Sequence, residues 1–148
     1  MGLIDIIRKD LIIVPLKSSK KEDIIDDLVS LYCEKNNLDE TRKAEIVKAV
    51  LDRELIASTA MDKGIAIPHA KIPGLKDSAV VIGISRLPVD FGGAERSNIF
   101  FLLLASQDKP TEHIQILSSI AKLCTSDLFV RMLSASKSAD EVYQLFFD

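Results

Sequence analysis

The chain has 148 residues, of which 47% are hydrophobic and 28% charged, which fits one compact domain with a sizeable core and excludes a disordered or collagen-like chain. With 19 Lys plus Arg against 22 Asp plus Glu the net charge is -3, and no basic block stands out, so the electrostatic footprint of a nucleic-acid binder is missing. Apolar runs such as "AVVIGI" and "IFFLLLA" stop short of the roughly 20 residues a membrane helix needs, and "MGLIDIIRKD" carries charge too early for a signal peptide; a cytoplasmic protein without direct membrane insertion is expected.

"LIIVPL" at 11–16 is β-branched, and its Pro15 predicts an edge strand. A helix follows, with Ser19 and Glu22 in the spacing of a capping box and Ile24, Ile25, Leu28, Val29 and Tyr32 at helical intervals, until "NNLD" breaks it. Asp39 or Thr41 caps a second helix. Its stripe is Ile46, Val47, Val50 and Leu51, its outer face carries Arg42, Lys43, Lys48 and Asp52, and Arg53 and Glu54 lie near its end. After the polar loop "ASTAMDKG" come three strands, "IAI" at 65–67, "AVVIGIS" at 79–85 and "IFFLLLA" at 99–105, the last apolar on both faces and therefore central. "LPVDFGGAERS" reads as a loop with room for a short extra strand pair.

A helix opens near Pro110 or Thr111 with Ile114, Ile116, Leu117, Ile120, Ala121 and Leu123 at its spacing. "SDLFVRML" and "SADEVYQLFF" give two more, the last with Ser138 and Glu141 as a capping box. Strands interleaved with helices predict an α/β fold, a mixed β-sheet sandwiched between helices on both faces. Cys33 and Cys124 lack CxxC spacing and read as buried apolar thiols.

The chemistry-bearing stretch is "GIAIPHAK" at 64–71, where Pro68 ends an apolar run and His69 follows at the expected strand exit. Proline fixes its own φ and biases Ile67 toward extended backbone, so the imidazole is aimed with little freedom. A neutral imidazole, pKa about 6.5 when unperturbed, offers a nucleophilic nitrogen once the other nitrogen is hydrogen-bonded. His113, the second of two histidines, falls in the first turn of a predicted helix, where free N–H groups and the helix dipole favour an anion such as phosphate. Arg53 could add two parallel donors, and Ser58 and Thr59 hydroxyl donors. Each residue also has a plain reading as surface, cap or turn. A metal site of His69, His113 and Glu112 is the other chemistry conceivable, although the spacing matches no metal signature; no cofactor is called for.

"RELIAST" at 53–59, "GIAIPHAK" at 64–71, "IFFLLLAS" at 99–106 and "TEHIQILSSIAKL" at 111–123 together resemble the enzyme IIA domain of the bacterial phosphotransferase system, in its fructose, mannitol and nitrogen-regulatory branch. The resemblance spans nearly the whole chain, with motifs in the same order. It implies a phosphoryl relay: the histidine carrier protein HPr, or its nitrogen-branch counterpart, donates to His69, with His113 and Arg53 in support. The group then passes to a cysteine on a IIB domain of a sugar permease, or sets how regulatory targets are bound. No IIB or IIC sequence is attached, which leans only slightly toward the regulator, since transport systems also use separate subunits. Met61, Ile65 and Pro73 are candidates for an apolar docking patch.

The sequence departs from the family in one place. "STAMDKG" stands where Ser-Thr-Gly-Ile-Gly is common, so Ala60 and Asp62 replace glycines that would allow positive φ and close phosphate approach. Asp62 also adds negative charge near the proposed anion site. The alternative this motivates is a non-catalytic binding module that keeps the fold and has lost phosphotransfer.

Overall fold

A computed structural model describes residues 3–147; Met1 and Gly2, the start of the charged N-terminal stretch, and Asp148 lie outside the described residues. The elements in chain order are α1 (Leu3–Ile6), a 3-10 turn (Lys9–Leu11), β1 (Ile12–Leu16), α2 (Lys21–Lys35), α3 (Glu40–Ile56), β2 (Ile65–Ala66), β3 (His69–Ile72), β4 (Ala79–Val89), β5 (Ser97–Ser106), α4 (Pro110–Leu123), α5 (Asp127–Ala135) and α6 (Ala139–Leu145). β1 pairs parallel with β4, β4 antiparallel with β5, and β2 and β3 both parallel with β5. β1 with Pro15 is therefore one edge, and β2 and β3 together form the other.

The expected sandwich holds. β5 is buried along almost its whole length because its side chains alternate between two cores. Phe100, Leu102 and Leu104 join Ala66, Ala70, Ile72 and the inner faces of α2 and α3, including Ile24, Leu28, Ile46 and Val50. Ile99, Phe101 and Leu103 join Ile65, Ile67 and residues of α4, α5 and α6, including Ile116, Ile120, Leu133 and Val142. Cys33 and Cys124 are buried and free, and burial pushes the Cys124 thiol up to about 11. Among the described residues no helix is long and apolar enough to cross a membrane.

Several elements differ from the expectations, each for a local reason. The Ser19–Glu22 box does not form: Lys20 is the N-cap of α2 without a side-chain cap, while the neighbouring Ser18 hydroxyl donates to Asp27. Asp39 rather than Thr41 caps α3, accepting from the Arg42 N–H; Ser138 caps α6 as expected, while the Glu141 carboxylate takes the Lys137 N–H in place of the Ser138 N–H of a full capping box. β4 runs on to Val89, which pairs with Ser97 after a register shift, so the two ends of the expected loop are strand and residues 90–96 remain the loop. Ile114 lies outside the buried stripe of α4 and is 68% exposed. α1 was not anticipated, its 4 residues being too few to show a helical period.

Gly64 is fixed by its surroundings. Its φ is +79, and an added Cβ would lie 2.5 Å from Asn98 Oδ1, on a side chain tied to Ser134 Oγ at 2.8 Å. Left-handed backbone costs a side-chain-bearing residue about 1–2 kcal/mol. Gly64→Ala should therefore lower stability by at least that amount, read as a lower urea midpoint with an unchanged slope; an unchanged midpoint would contradict the packing described.

Candidate active site

The edge strand beside β5 is interrupted and then resumes. Ile65 and Ala66 pair with Ile99 and Phe100, and His69 to Ile72 pair with Leu103 to Ser106, without a change of register. Between them the Ile67 N–H turns away to donate to the Thr59 carbonyl at 3.2 Å, and Pro68, which has no N–H, accepts from the Leu103 N–H at 2.9 Å. His69 is thus the first residue of β3 rather than a residue beyond a strand end, which corrects the sequence reading.

The alternation of a strand puts Ile65, Ile67, His69 and Lys71 on the face covered by α4. The two isoleucines enter that core, while Ala66, Ala70 and Ile72 enter the other. His69 stands where the cover thins and is half-buried. Its Nδ1 lies 2.8 Å from the Ile67 carbonyl oxygen. A carbonyl can only accept, so the neutral ring carries its proton on Nδ1 and leaves the Nε2 lone pair free.

His113 comes from the first turn of α4, which starts with Pro110 at its N-terminus. Its ring centroid is 5.4 Å from that of His69, with the ring planes at 88°. The two imidazoles, far apart in sequence, therefore meet. Burial, then the neighbouring His69, then the Lys71 ammonium hold the His113 imidazole below its ordinary pKa of 6.5. His113 Nδ1 and Glu112 Oε1 are buried atoms without a hydrogen-bond partner. Lys71 was missed in the sequence reading, although its two-residue offset from His69 on a strand was the available signal.

Arg53, in the last turn of α3, donates from Nη1 to the Ala57 carbonyl at 2.9 Å. That carbonyl belongs to the loop whose Thr59 accepts from Ile67, so the arginine is tied to the segment flanking the strand break. The hydroxyls of Ser58 and Thr59 point inward. Ser58 Oγ donates to the Phe91 carbonyl at 2.7 Å and accepts from the Ala60 N–H at 3.1 Å. Thr59 Oγ1 donates to the buried Glu54 carboxylate.

The family-divergent loop keeps its turn by another placement. Among the described residues between 57 and 64, positive φ occurs at Lys63 and Gly64, not at Ala60 or Asp62, so neither replacement is strained by a left-handed backbone. The Lys63 ammonium pairs with Asp127 at 2.8 Å and reaches the Thr125 carbonyl at 3.0 Å, near the C-terminal end of α4. Ile65 is core at 1% exposure and leaves the expected docking patch; Met61 and Pro73 are exposed, and Leu55 at 84%, Ile56 at 80% and Ile114 at 68% add apolar surface beside Arg53 and His113. Among the described residues no three His, Cys, Asp or Glu side chains come together as a metal site, so the set of His69, His113 and Glu112 is not one.

The family model for the phosphoenolpyruvate-dependent sugar phosphotransferase system, EIIA 2, matches residues 5–148. The chain is 28% identical over 147 residues to a nitrogen regulatory protein of Bradyrhizobium diazoefficiens, covering 98% of this chain and 94% of that one. Its fold is similar to the nitrogen regulatory protein IIA-Ntr from Neisseria meningitidis, with TM-score 0.87 at 23% identity over 97% of both chains. It is also similar to a mannitol enzyme IIA solved in complex with phosphorylated enzyme IIB from Escherichia coli, with TM-score 0.78 at 22% identity over 95% and 96% of the two chains. The protein belongs to the EIIA 2 family of the phosphotransferase system.

Below 6.5 the unfolded chain takes up a proton on His113 that the folded one accepts only at lower pH, so the stability tied to this group is intact above 6.5 and is lost as pH falls from there. An NMR titration should give a His113 midpoint under that value, and Lys71→Met should move it upward. Urea unfolding from about pH 7.5 to pH 5 should lose less stability in His113→Asn than in the native protein; equal losses would contradict the assignment.

Proposed function

We propose that the protein is a phosphoryl carrier in which His69 Nε2 accepts the phosphoryl group of a phosphorylated histidine carrier, HPr or its nitrogen-branch counterpart. The observation that carries this reading is the pair of imidazoles 5.4 Å apart, with His69 Nδ1 held by the Ile67 carbonyl at 2.8 Å. The P–N bond to the donor imidazole breaks as the P–Nε2 bond forms, and the donor leaves with its electron pair. The proton stays on His69 Nδ1, where the carbonyl stabilises the positive charge that grows on the ring. Catalysis is then positioning plus charge stabilisation, the usual requirement of phosphoryl transfer.

His113 and Arg53 stabilise the equatorial oxygens of the group in flight, and Lys71 adds positive charge. Ser58 and Thr59 belong to the same site through the loop geometry they fix, since their hydroxyl protons are engaged. The onward acceptor is a IIB cysteine or, in a regulatory setting, a target whose binding depends on the phosphorylation state of His69. Family membership supports the relay. The solved complex of a similar enzyme IIA with phosphorylated enzyme IIB supports the first acceptor, and the similarity to nitrogen regulatory proteins the second. Leu55, Ile56, Met61 and Ile114, all exposed, supply apolar surface for such transient docking. The reaction belongs in the cytoplasm, where phosphoenolpyruvate feeds the donor.

Incubation with phosphoenolpyruvate, enzyme I and the histidine carrier should give acid-labile, base-stable phosphate that disappears in His69→Ala. His113→Ala and Arg53→Ala should each slow labelling by about a hundredfold. Label that survives in His69→Ala, or native protein that takes none, would sink the reading. Growth of a deletion strain on single sugars separates the two acceptors: loss on one sugar marks transport, and altered potassium or nitrogen responses with unchanged sugar use mark regulation.

A further inference from the structure

Glu54 is a buried carboxylate that the relay above does not use. Its side chain is 2% exposed and pairs with Lys21 Nζ at 2.9 Å. It also accepts from the Thr59 N–H at 3.2 Å and from the Thr59 hydroxyl. Lys21, at the start of α2, further donates to the Phe91 carbonyl at 3.3 Å, the oxygen that also receives the Ser58 hydroxyl. One ion pair thus ties α2, the end of α3, the 57–60 loop and the segment after β4 together.

The consequence for the site follows bond by bond. Glu54 fixes Thr59; the Thr59 carbonyl receives the Ile67 N–H at 3.2 Å; and the Ile67 carbonyl receives His69 Nδ1–H at 2.8 Å. On the other side of the same loop, Ala57 receives the Arg53 guanidinium. No proton travels this route, because its links are backbone amides of different peptide groups. What it transmits is position.

Resting on the phosphoryl-carrier reading, we propose that Glu54, held by Lys21, is the positioning residue that sets the tautomer of His69 and the direction of Arg53. Neither Glu54 nor Lys21 takes part in the transfer itself. Without the pair, the loop loosens, the Ile67 carbonyl drifts, and the imidazole returns toward the Nε2–H form that free imidazole prefers, in which the nucleophilic nitrogen is blocked.

The test separates position from stability. Replacing a buried ion pair by apolar groups of similar volume often preserves the fold, so the main variant is Lys21→Met with Glu54→Leu, and Glu54→Gln is the milder one that keeps an acceptor. Imidazole nitrogen shifts at about pH 8.5, where histidine is neutral, should show a single Nδ1–H tautomer in the native protein, a mixture in the double variant and an intermediate pattern in Glu54→Gln. Transfer from the phosphorylated carrier should fall about tenfold to a hundredfold in kcat in the double variant, with KM unchanged because the pair is away from the exposed surface.

If the double variant fails to fold, Glu54→Gln is read alone by the same two measurements. A folded variant with the native tautomer and native kcat would overturn the inference. A native protein that takes no phosphoryl label, but whose variants lose the single tautomer, would overturn the carrier reading and leave standing only the control of the His69 tautomer by Glu54.

Discussion

Everything at the site depends on β5 pairing with the edge strand on both sides of an interruption. A proline in a strand normally ends the ladder, because its N–H is gone and the chain must find another course. Here the Pro68 carbonyl still takes the Leu103 N–H, so β3 resumes in the register that β2 left. The freed Ile67 N–H is satisfied from the other side by Thr59. The interruption therefore gives Ile67 a carbonyl directed at His69 rather than at β5, and a histidine whose ring is anchored two residues back along the chain while its backbone pairs with β5.

The second consequence is electrostatic. A parallel edge strand covered by α4 brings His69 beside the first turn of that helix, where unsatisfied N–H groups and the dipole favour negative charge. In the resting protein burial, then His69, then Lys71 hold the His113 imidazole below its ordinary pKa. A phosphoryl group on His69 would bring close to two negative charges and reverse the effect of the neighbours on His113, favouring its protonated, doubly donating form. On the phosphoryl-carrier reading, His113 thus moves toward its charged, donating form when the group arrives. The site has local positive charge although the chain as a whole is acidic, because Lys71 lies on the edge strand near His113 while Asp77 is engaged by Lys109 and Asp127 by Lys63.

The parts of this arrangement legible in sequence were those set by period and by hydrophobic run length. β5, the stripes of α2 and α3, and the caps at Asp39 and Ser138 follow from local composition. His69 and His113 were legible through motif resemblance, and the fold brings their rings together. β3 was hidden because "HAKI" carries a histidine and a lysine on one face, which reads as loop; its strand character comes from β5, not from its own residues. Ile114 misled for the opposite reason, being an apolar residue at helical spacing that the sheet does not cover. The hydroxyls of Ser58 and Thr59 could be assigned a residue type but not a direction. The direction of Thr59 is decided by Glu54, whose burial no periodicity reveals, and that of Ser58 by the Phe91 carbonyl.

The last turn of α3 shows how closely these roles are packed. Leu55 and Ile56 face solvent, Arg53 bends to the loop that follows, and Glu54 points into the interior, so four consecutive residues divide docking surface, charge and anchorage among them. A buried carboxylate at such a point is expensive to desolvate, and a hydrophobic residue there would avoid that penalty. It would leave the Thr59 N–H and hydroxyl without the acceptor they have, and the loop would be held only by packing. The ion pair with Lys21 satisfies these donors and directs them, which apolar contact cannot do because it has no preferred angle. The charge sits where direction, not burial alone, is what the Thr59 N–H and hydroxyl require.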